Sequence, residues 1–236
     1  MVDNGYAAPE LLADTDWLAQ RLGNANIRIV EISTTLEAFE QGHIPGAVLC
    51  EDWHIKSVDN PALAATPPEA QALFESLGIG DETLVVAYDR MRSRDASRLW
   101  WVLTYYSHTN VKVLDGGWKK WTLEGRPVEA GKGARARPQQ PVTFTPNPDP
   151  SVLSTLDTLK AAIAAPEKVI WDIRSEAEYT GENDRGNKRS GHVPGARHLE
   201  WTELVTEHDH TFKPAGEIRK LASGLGITSD TIVHVY

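Results

Sequence analysis

Cys50 is the only thiol in this 236-residue chain, and it is therefore the first residue to test as a nucleophile. A cysteine thiolate is a good nucleophile and also binds metals. Cys50 ends the apolar run Ala47–Cys50, and neither a helix start nor a glycine-rich loop follows it. Free cysteines in such runs are usually small buried hydrophobic residues, so we predict a structural role for Cys50.

Two histidines could carry protons or bind a metal, and both lie in the same six-residue motif. Gly-His-Ile-Pro-Gly-Ala occupies residues 42–47, and Gly-His-Val-Pro-Gly-Ala occupies residues 191–196. Because the motif occurs twice, we expect His43 and His192 to make hydrogen bonds that hold the turn. No Cys and His cluster has metal-ligand spacing, and no glycine-rich phosphate motif occurs, so we expect neither a metal nor a cofactor.

The segments around the two motifs repeat as well. Leu77–Tyr88 and Leu225–Tyr236 align without a gap, and Ile29–Ser33 corresponds to Ile170–Arg174. Each copy therefore has the same order of helix, strand, acidic helix, turn, helix and buried strand. We predict helices at Thr15–Leu22, Asp95–Tyr106 and Thr155–Ala164, and strands at Arg28–Ile32, Thr83–Tyr88, Val111–Leu114, Lys168–Ile173 and Thr231–Tyr236. Thr15 and Thr155 are the predicted helix caps.

Short apolar strands that alternate with helices are typical of an α/β protein with mostly parallel sheets flanked by helices. The repeat predicts one domain at residues 1–128 and a second at residues 151–236. Residues 129–150 are rich in Pro, Gly and Arg, and we interpret them as a linker. After Tyr88 the first copy continues into a loop, a helix and a strand that the second copy lacks. We therefore expect the second domain to be incomplete as given.

The composition excludes several classes of protein. Hydrophobic residues make up 41% and charged residues 24% of the chain, which is ordinary for a globular protein. The net charge of −9 argues against a nucleic-acid-binding protein, which needs a basic surface. There is no signal-peptide pattern and no apolar run of membrane-spanning length, so we expect a soluble cytoplasmic protein without a membrane partner.

The two Gly-His-X-Pro-Gly-Ala motifs, Asp172-Ile173-Arg174 and the run Leu-Asp-Gly-Gly-Trp at residues 114–118 resemble the rhodanese superfamily. More specifically, the chain resembles a tandem-domain sulfurtransferase of the thiosulfate or 3-mercaptopyruvate type over nearly its whole length. It implies an inactive N-terminal domain and a C-terminal domain with a catalytic Cys. That Cys would take a sulfane sulfur from a small anionic donor such as thiosulfate as a persulfide, and pass it to cyanide or a thiol.

The resemblance places the catalytic Cys directly after Tyr236, at the start of the loop that follows the central strand. We therefore expect no catalytic residue within residues 1–236 and no sulfur transfer by this chain alone. Asp89 occupies the equivalent place in the first copy, where a carboxylate cannot carry a sulfur and an amide loop could only bind it as an anion. Asp172 corresponds to a carboxylate that pairs with an Arg of the active loop in related proteins, so we expect it to be unpaired here.

Other charged residues near the implied site have two interpretations each. Asp172 and Arg174 either order the loop and bind substrate, or form a helix cap and a surface ion pair. Glu178 stands where some relatives have a substrate-binding Arg, and Arg185, Lys188 and Arg189 of the inserted segment could replace that positive charge. The alternative is that these three residues belong to a solvated loop.

The basic loop of the first copy contains Arg90, Arg92 and Arg94. These arginines either draw an anionic donor towards the expected cleft between the two domains or form Asp–Arg pairs in a solvated loop. Two other functions remain open as well. One is a non-catalytic rhodanese-homology binding module, and the other is a related Cys-loop phosphatase or arsenate reductase.

Overall fold

The computed structural model describes residues 5–33, 35–131, 141–165 and 167–236, and it divides the chain into two α/β units. The first unit comprises Met1–Val152 and Glu207–Thr211, and the second comprises Leu153–Thr206 and Phe212–Tyr236. The predicted linker, 129–150, is assigned to the first unit, and its residues 132–140 lie outside the described residues.

A parallel sheet with flanking helices forms the first unit. Its strands are β1 (Leu12–Ala13), β2 (Ile27–Ser33), β3 (Val48–Glu51), β4 (Leu84–Tyr88) and β5 (Val111–Leu114). Its helices are α1 (Thr15–Ala19), α2 (Leu36–Gln41), α3 (Pro67–Ser76), α4 (Arg94–Tyr105) and α5 (Gly117–Leu123). The strand order is β1-β5-β4-β2-β3, and every pairing is parallel. Both faces of β4 are covered, which explains why its sequence is a continuous apolar run.

The second unit repeats the central part of this arrangement. Its strands are β6 (Lys168–Asp172), β7 (Arg197–His198) and β8 (Ile232–Val235), and its helices are α6 (Leu156–Ile163), α7 (Glu176–Thr180) and α8 (Ala215–Gly224). The described residues form a sheet in the order β7-β6-β8, again with parallel pairing throughout. The prediction of two α/β units with parallel sheets is therefore confirmed.

One of the two predicted helix caps is correct. The Thr155 hydroxyl accepts a hydrogen bond from the Thr158 amide and caps α6. The prediction for Thr15 is wrong, because Asp14 is the cap of α1 and accepts from the Trp17 amide at 2.6 Å. Thr15 lies inside the first turn, and its hydroxyl donates instead to a carboxylate distant in sequence.

That carboxylate is Glu124, at the end of α5, which joins three hydrogen-bond donors. Its oxygens accept from the Thr15 hydroxyl at 2.6 Å, from Lys120 Nζ at 2.5 Å and from Arg126 Nε. Burial on its own would raise the pKa of Glu124, but these hydrogen bonds outweigh it and lower the pKa to about 2. The group therefore stabilises the fold above its unfolded pKa, and this contribution is lost as the pH falls through about 2.

We expect Glu124→Gln to lower the free energy of unfolding by about 1 kcal/mol at neutral pH, because water screens these partly exposed pairs. The difference between variant and wild type should shrink as the pH approaches about 2, where the wild-type carboxylate is half protonated. Urea unfolding of both proteins at neutral and at low pH measures this. A difference that does not change with pH would contradict the assignment of the stabilisation to the charge of Glu124.

Candidate functional site

The carboxyl end of β4 is tied to β2 and to the first His-containing turn by one side chain. Glu31 of β2 lies opposite Tyr88 of β4 in the parallel register, and the Tyr88 hydroxyl donates to Glu31 Oε2 at 2.5 Å. The same hydroxyl accepts from the Ile44 amide at 3.1 Å. Two neighbouring strands and the turn between them therefore meet at the Tyr88 hydroxyl.

The second unit contains the same arrangement at the end of β8. The Tyr236 hydroxyl accepts from the Val193 amide at 2.9 Å and is hydrogen-bonded to the Asp172 carboxylate. Asp172 and Val193 correspond to Glu31 and Ile44 in the aligned copies. Sequence reasoning did not assign a role to either tyrosine, although a Tyr at the end of both repeated strands was the available signal.

In each unit an arginine pairs with the carboxylate beside the tyrosine, but this arginine comes from a different segment in each unit. In the first unit Arg90, from the loop after β4, donates through Nε to Glu31 Oε1 at 2.6 Å and also bonds the Gly42 carbonyl. Its guanidinium lies over the Trp118 ring, 4.2 Å from the centroid. The loop after the strand thus supplies the counter-charge for the buried carboxylate.

In the second unit Arg174 takes this place. Its Nε and Nη2 donate to Asp172 at 2.9 and 2.5 Å, its Nη2 donates to the Gly191 carbonyl at 3.0 Å, and it lies over the Tyr236 ring. The expectation that Asp172 is unpaired is therefore wrong, because Arg174 is near enough to form a bidentate pair with it. Burial would raise the pKa of Asp172, but the bonds from Arg174 and Tyr236 hold it below its ordinary value.

Asp89, directly after β4, is enclosed by the backbone of its own loop. Its side chain is buried, with 2% of the residue exposed, and it accepts from four backbone N–H groups. The amides of Met91 and Ser93 donate to Oδ1 at 2.8 and 3.0 Å, and those of Asp95 and Ala96 donate to Oδ2 at 2.8 Å. Burial raises the pKa of Asp89, and these hydrogen bonds oppose that rise.

This amide loop, which comprises residues 89–96, has the geometry of an anion-binding site. Arg92 and Ser93 both have positive φ, 58° and 66°, which turns successive amides towards the same side. The loop leads into the N-terminus of α4, whose partial positive charge adds to the attraction for an anion. In the first unit the anion is the carboxylate of Asp89 itself.

The three arginines of this loop are engaged in ion pairs. Arg90 pairs with Glu31, Arg94 pairs with Asp95 at 2.8 Å, and Arg92 lies 3.8 Å from Glu207. The predicted Asp–Arg pairing therefore holds for Arg94. Arg90 instead pairs with the buried Glu31.

Two of the candidate cations of the inserted segment, Arg185 and Lys188, have different surroundings. Arg185 donates through Nη2 to Glu178 Oε2 at 3.1 Å, and its Nε forms an ion pair with Oε1 at 3.0 Å. The pKa of Glu178 is lowered, because the bonds from Ser175 and Arg185 outweigh the burial that would raise it. Lys188 is exposed in the turn that follows. A substrate-binding role for Arg185 and Lys188 stays a prediction.

The structural roles predicted for Cys50 and the two histidines are confirmed. Cys50 is fully buried in β3, and burial, followed by Asp52 and Glu51, raises the pKa of its thiol to about 12. The His43 and His192 Nδ1 atoms lie 2.8 Å from backbone carbonyl oxygens of the preceding helices. Each ring also stacks on an aromatic residue of that helix. The buried Cys50 thiol stays protonated and is therefore not a nucleophile at neutral pH.

Two general features of the described residues bear on the kind of site. No group of three or more His, Cys, Asp and Glu within the described ranges is arranged to hold a metal ion. Among the helices of the described part of the chain, none has the length and apolarity needed to cross a membrane. A cytoplasmic location stays a prediction.

Known proteins with similar sequences are named for sulfur chemistry. The sulfur carrier protein TtuD of Thermus thermophilus is 33% identical over 98% of this chain and 84% of its own length. A protein of Saccharopolyspora erythraea, provisionally named thiosulfate sulfurtransferase, is 31% identical over 95% of this chain and 81% of its own length.

A solved structure is similar over the same extent. The 3-mercaptopyruvate sulfurtransferase SseA of Escherichia coli superposes with a TM-score of 0.84 at 25% identity, over 95% of this chain and 87% of that protein. The rhodanese-like domain family matches residues 14–124 and 155–236, one region in each unit. The chain therefore belongs to the rhodanese family and is a tandem-rhodanese protein of the sulfurtransferase type.

Proposed function

We propose that the protein moves a sulfane sulfur from thiosulfate, or a related anionic donor, to cyanide or a thiol through a cysteine persulfide. The observation that carries this proposal is the amide loop around Asp89. Four backbone amides of this loop donate to the buried Asp89 carboxylate, and donors of this kind are what a thiolate and a persulfide require, which supports the proposal.

The proposed nucleophile is a Cys in the position directly after Tyr236. The Tyr236 hydroxyl accepts from the Val193 amide as the Tyr88 hydroxyl accepts from the Ile44 amide, and Asp89 is the residue that follows Tyr88 into the amide loop. A Cys at the equivalent position would have the strand register and the buried carboxylate, Asp172, already in place. Arg174 is the proposed loop-ordering residue, since it neutralises Asp172 beside that strand end.

The proposed reaction has two displacement steps. The thiolate attacks the outer sulfur of thiosulfate, a sulfur–sulfur bond forms to the Cys, and sulfite leaves with the electron pair of the broken bond. Cyanide then attacks the outer sulfur of the persulfide, a carbon–sulfur bond forms, and the Cys thiolate departs with the electron pair of the broken sulfur–sulfur bond, which releases thiocyanate. Both the thiolate and the persulfide carry a negative charge, so backbone amides stabilise each resting state of the cycle. We assign Arg185 and Lys188 to attraction of the anionic donor.

Because residues 1–236 contain a single Cys, the proposed position of the nucleophile can be tested directly. We expect the 1–236 chain to form no thiocyanate from thiosulfate and cyanide, because its single thiol, Cys50, is buried and protonated. A form of the protein that carries the proposed Cys after Tyr236, the full-length protein of this test, is expected to form thiocyanate and to gain one sulfur atom on treatment with thiosulfate, measured by intact mass. Cyanide should remove that atom.

A Cys50→Ser variant of the full-length protein is the matched control and should keep its activity. Loss of sulfur loading in that variant would identify Cys50 as the carrier and would overturn the assignment after Tyr236. A full-length protein that takes up no sulfur from thiosulfate would overturn the proposed reaction with this donor.

A further inference from the structure

Tyr236 connects three parts of the second unit at the strand end beside the proposed nucleophile. Its amide donates to the Trp171 carbonyl at 3.1 Å, and its carbonyl accepts from the Ile173 amide at 3.0 Å, which continues the parallel ladder of β6 and β8. Its hydroxyl accepts from the Val193 amide at 2.9 Å and is hydrogen-bonded to Asp172. The backbone and the side chain of one residue are therefore both anchored.

The hydroxyl acts as a donor to a charged acceptor. Burial, followed by the hydrogen bond to Asp172, raises the pKa of Tyr236, so its hydroxyl keeps its proton. The pKa of Asp172 is lowered, so the carboxylate is ionised. A hydrogen bond to an ionised acceptor is stronger than one between neutral groups, and it has a defined direction. The hydrogen bond from the Val193 amide to the Tyr236 hydroxyl therefore ties the strand end to the turn.

We propose that Tyr236 is a positioning residue for sulfur transfer, and that its hydroxyl fixes the backbone from which the nucleophile extends. This inference rests on the proposed function. Without the hydroxyl, the Val193 amide loses its acceptor and Asp172 loses a donor, so the strand end is free to shift against the turn. Misplacement of a reacting group by about 1 Å can reduce a rate by about 100-fold.

The first unit offers a matched control for this proposal. Tyr88 makes the same two hydroxyl contacts, with Glu31 and the Ile44 amide, but it precedes Asp89, which carries no sulfur. Tyr88→Phe and Tyr236→Phe thus remove the same atom from corresponding positions in the two copies, although Tyr88 is fully buried and Tyr236 is only partly buried. A purely structural role predicts the same consequences for both, whereas a positioning role predicts a loss of activity for Tyr236→Phe alone.

The test uses the full-length protein as wild type and as each single variant. Steady-state rates with thiosulfate and cyanide give kcat and KM, and the pH profile of kcat/KM reports the thiolate. The single-turnover rate is normalised to the amount of protein that loads one sulfur, so that misfolded protein does not count. We expect Tyr236→Phe to lower kcat/KM by about tenfold or more, mainly through kcat, and Tyr88→Phe to stay within about twofold of wild type.

The outcomes separate the two proposals. An active wild type in which both variants have equal normalised rates and equal pH profiles would overturn the positioning role and leave the proposed function intact. A wild type that transfers no sulfur would overturn the proposed function and this inference with it. A selective loss in Tyr236→Phe, with both variants equally stable in thermal unfolding, would support it.

Discussion

An Asp89→Ala variant is expected to lose about 3 kcal/mol or more of its free energy of unfolding, because four backbone donors lose their buried acceptor together. Each of these amides is bonded to the Asp89 carboxylate at 3.0 Å or less. The loss should fall mainly on residues 89–96 and on the start of α4, where those amides lie. Urea unfolding gives the free energy, and amide hydrogen exchange locates the opened segment.

Two variants in the same loop serve as controls for this experiment. Asp95→Ala removes a carboxylate whose side-chain ion-pair partner is the partly exposed Arg94, so we expect a loss below about 1 kcal/mol. Asp89→Asn keeps one carbonyl acceptor of similar size, and its stability should lie between wild type and Asp89→Ala. If Asp89→Ala were as stable as wild type, the loop would not depend on a bound anion. The analogy that supports the proposed persulfide site would then fail.

The second large effect is expected at Arg90. An Arg90→Met variant should be destabilised by about 3 kcal/mol or more, because it leaves the charge of Glu31 buried without its counter-charge. The Glu31 side chain has no exposed surface, and Arg90 Nε lies 2.6 Å from its Oε1. The long methionine side chain preserves much of the packing against Trp118, so the experiment isolates the charge.

A double-mutant cycle tests whether the charge is the cause. Glu31→Gln combined with Arg90→Met removes both charges, and we expect the double variant to be more stable than Arg90→Met alone. Arg94→Met is the surface control and should cost less than about 1 kcal/mol. Additive losses in the cycle would show that Arg90 contributes through packing rather than through its pair with Glu31.

Most of the fold could be predicted from the sequence because its signals are local. The strand Val111–Leu114 was predicted with the observed bounds, and the helix predicted at Asp95–Tyr106 is observed at Arg94–Tyr105. Continuous apolar runs indicate buried parallel strands, and a repeated motif indicates repeated units. The cap at Thr15 failed because Asp14 and Thr15 are both good capping residues and only the backbone path selects between them.

The candidate site was predictable in part. The burial of Cys50 follows from its apolar neighbours, and the hydrogen bonds of His43 and His192 follow from the recurrence of one motif in both copies. The contacts of Tyr88 and Tyr236 were not predicted, since a Tyr that ends an apolar strand has no local feature that specifies a partner for its hydroxyl.

The sequence by itself determined the family, the twofold repeat, the parallel α/β fold and the buried state of the single thiol. The tertiary structure alone decided which donors reach each buried carboxylate. Asp172 is neutralised by Arg174 and Glu31 by Arg90, although the two carboxylates occupy equivalent strands. Such pairs join residues by side-chain reach across strand ends and turns, which depends on distances in the folded chain and leaves no periodic pattern in the sequence.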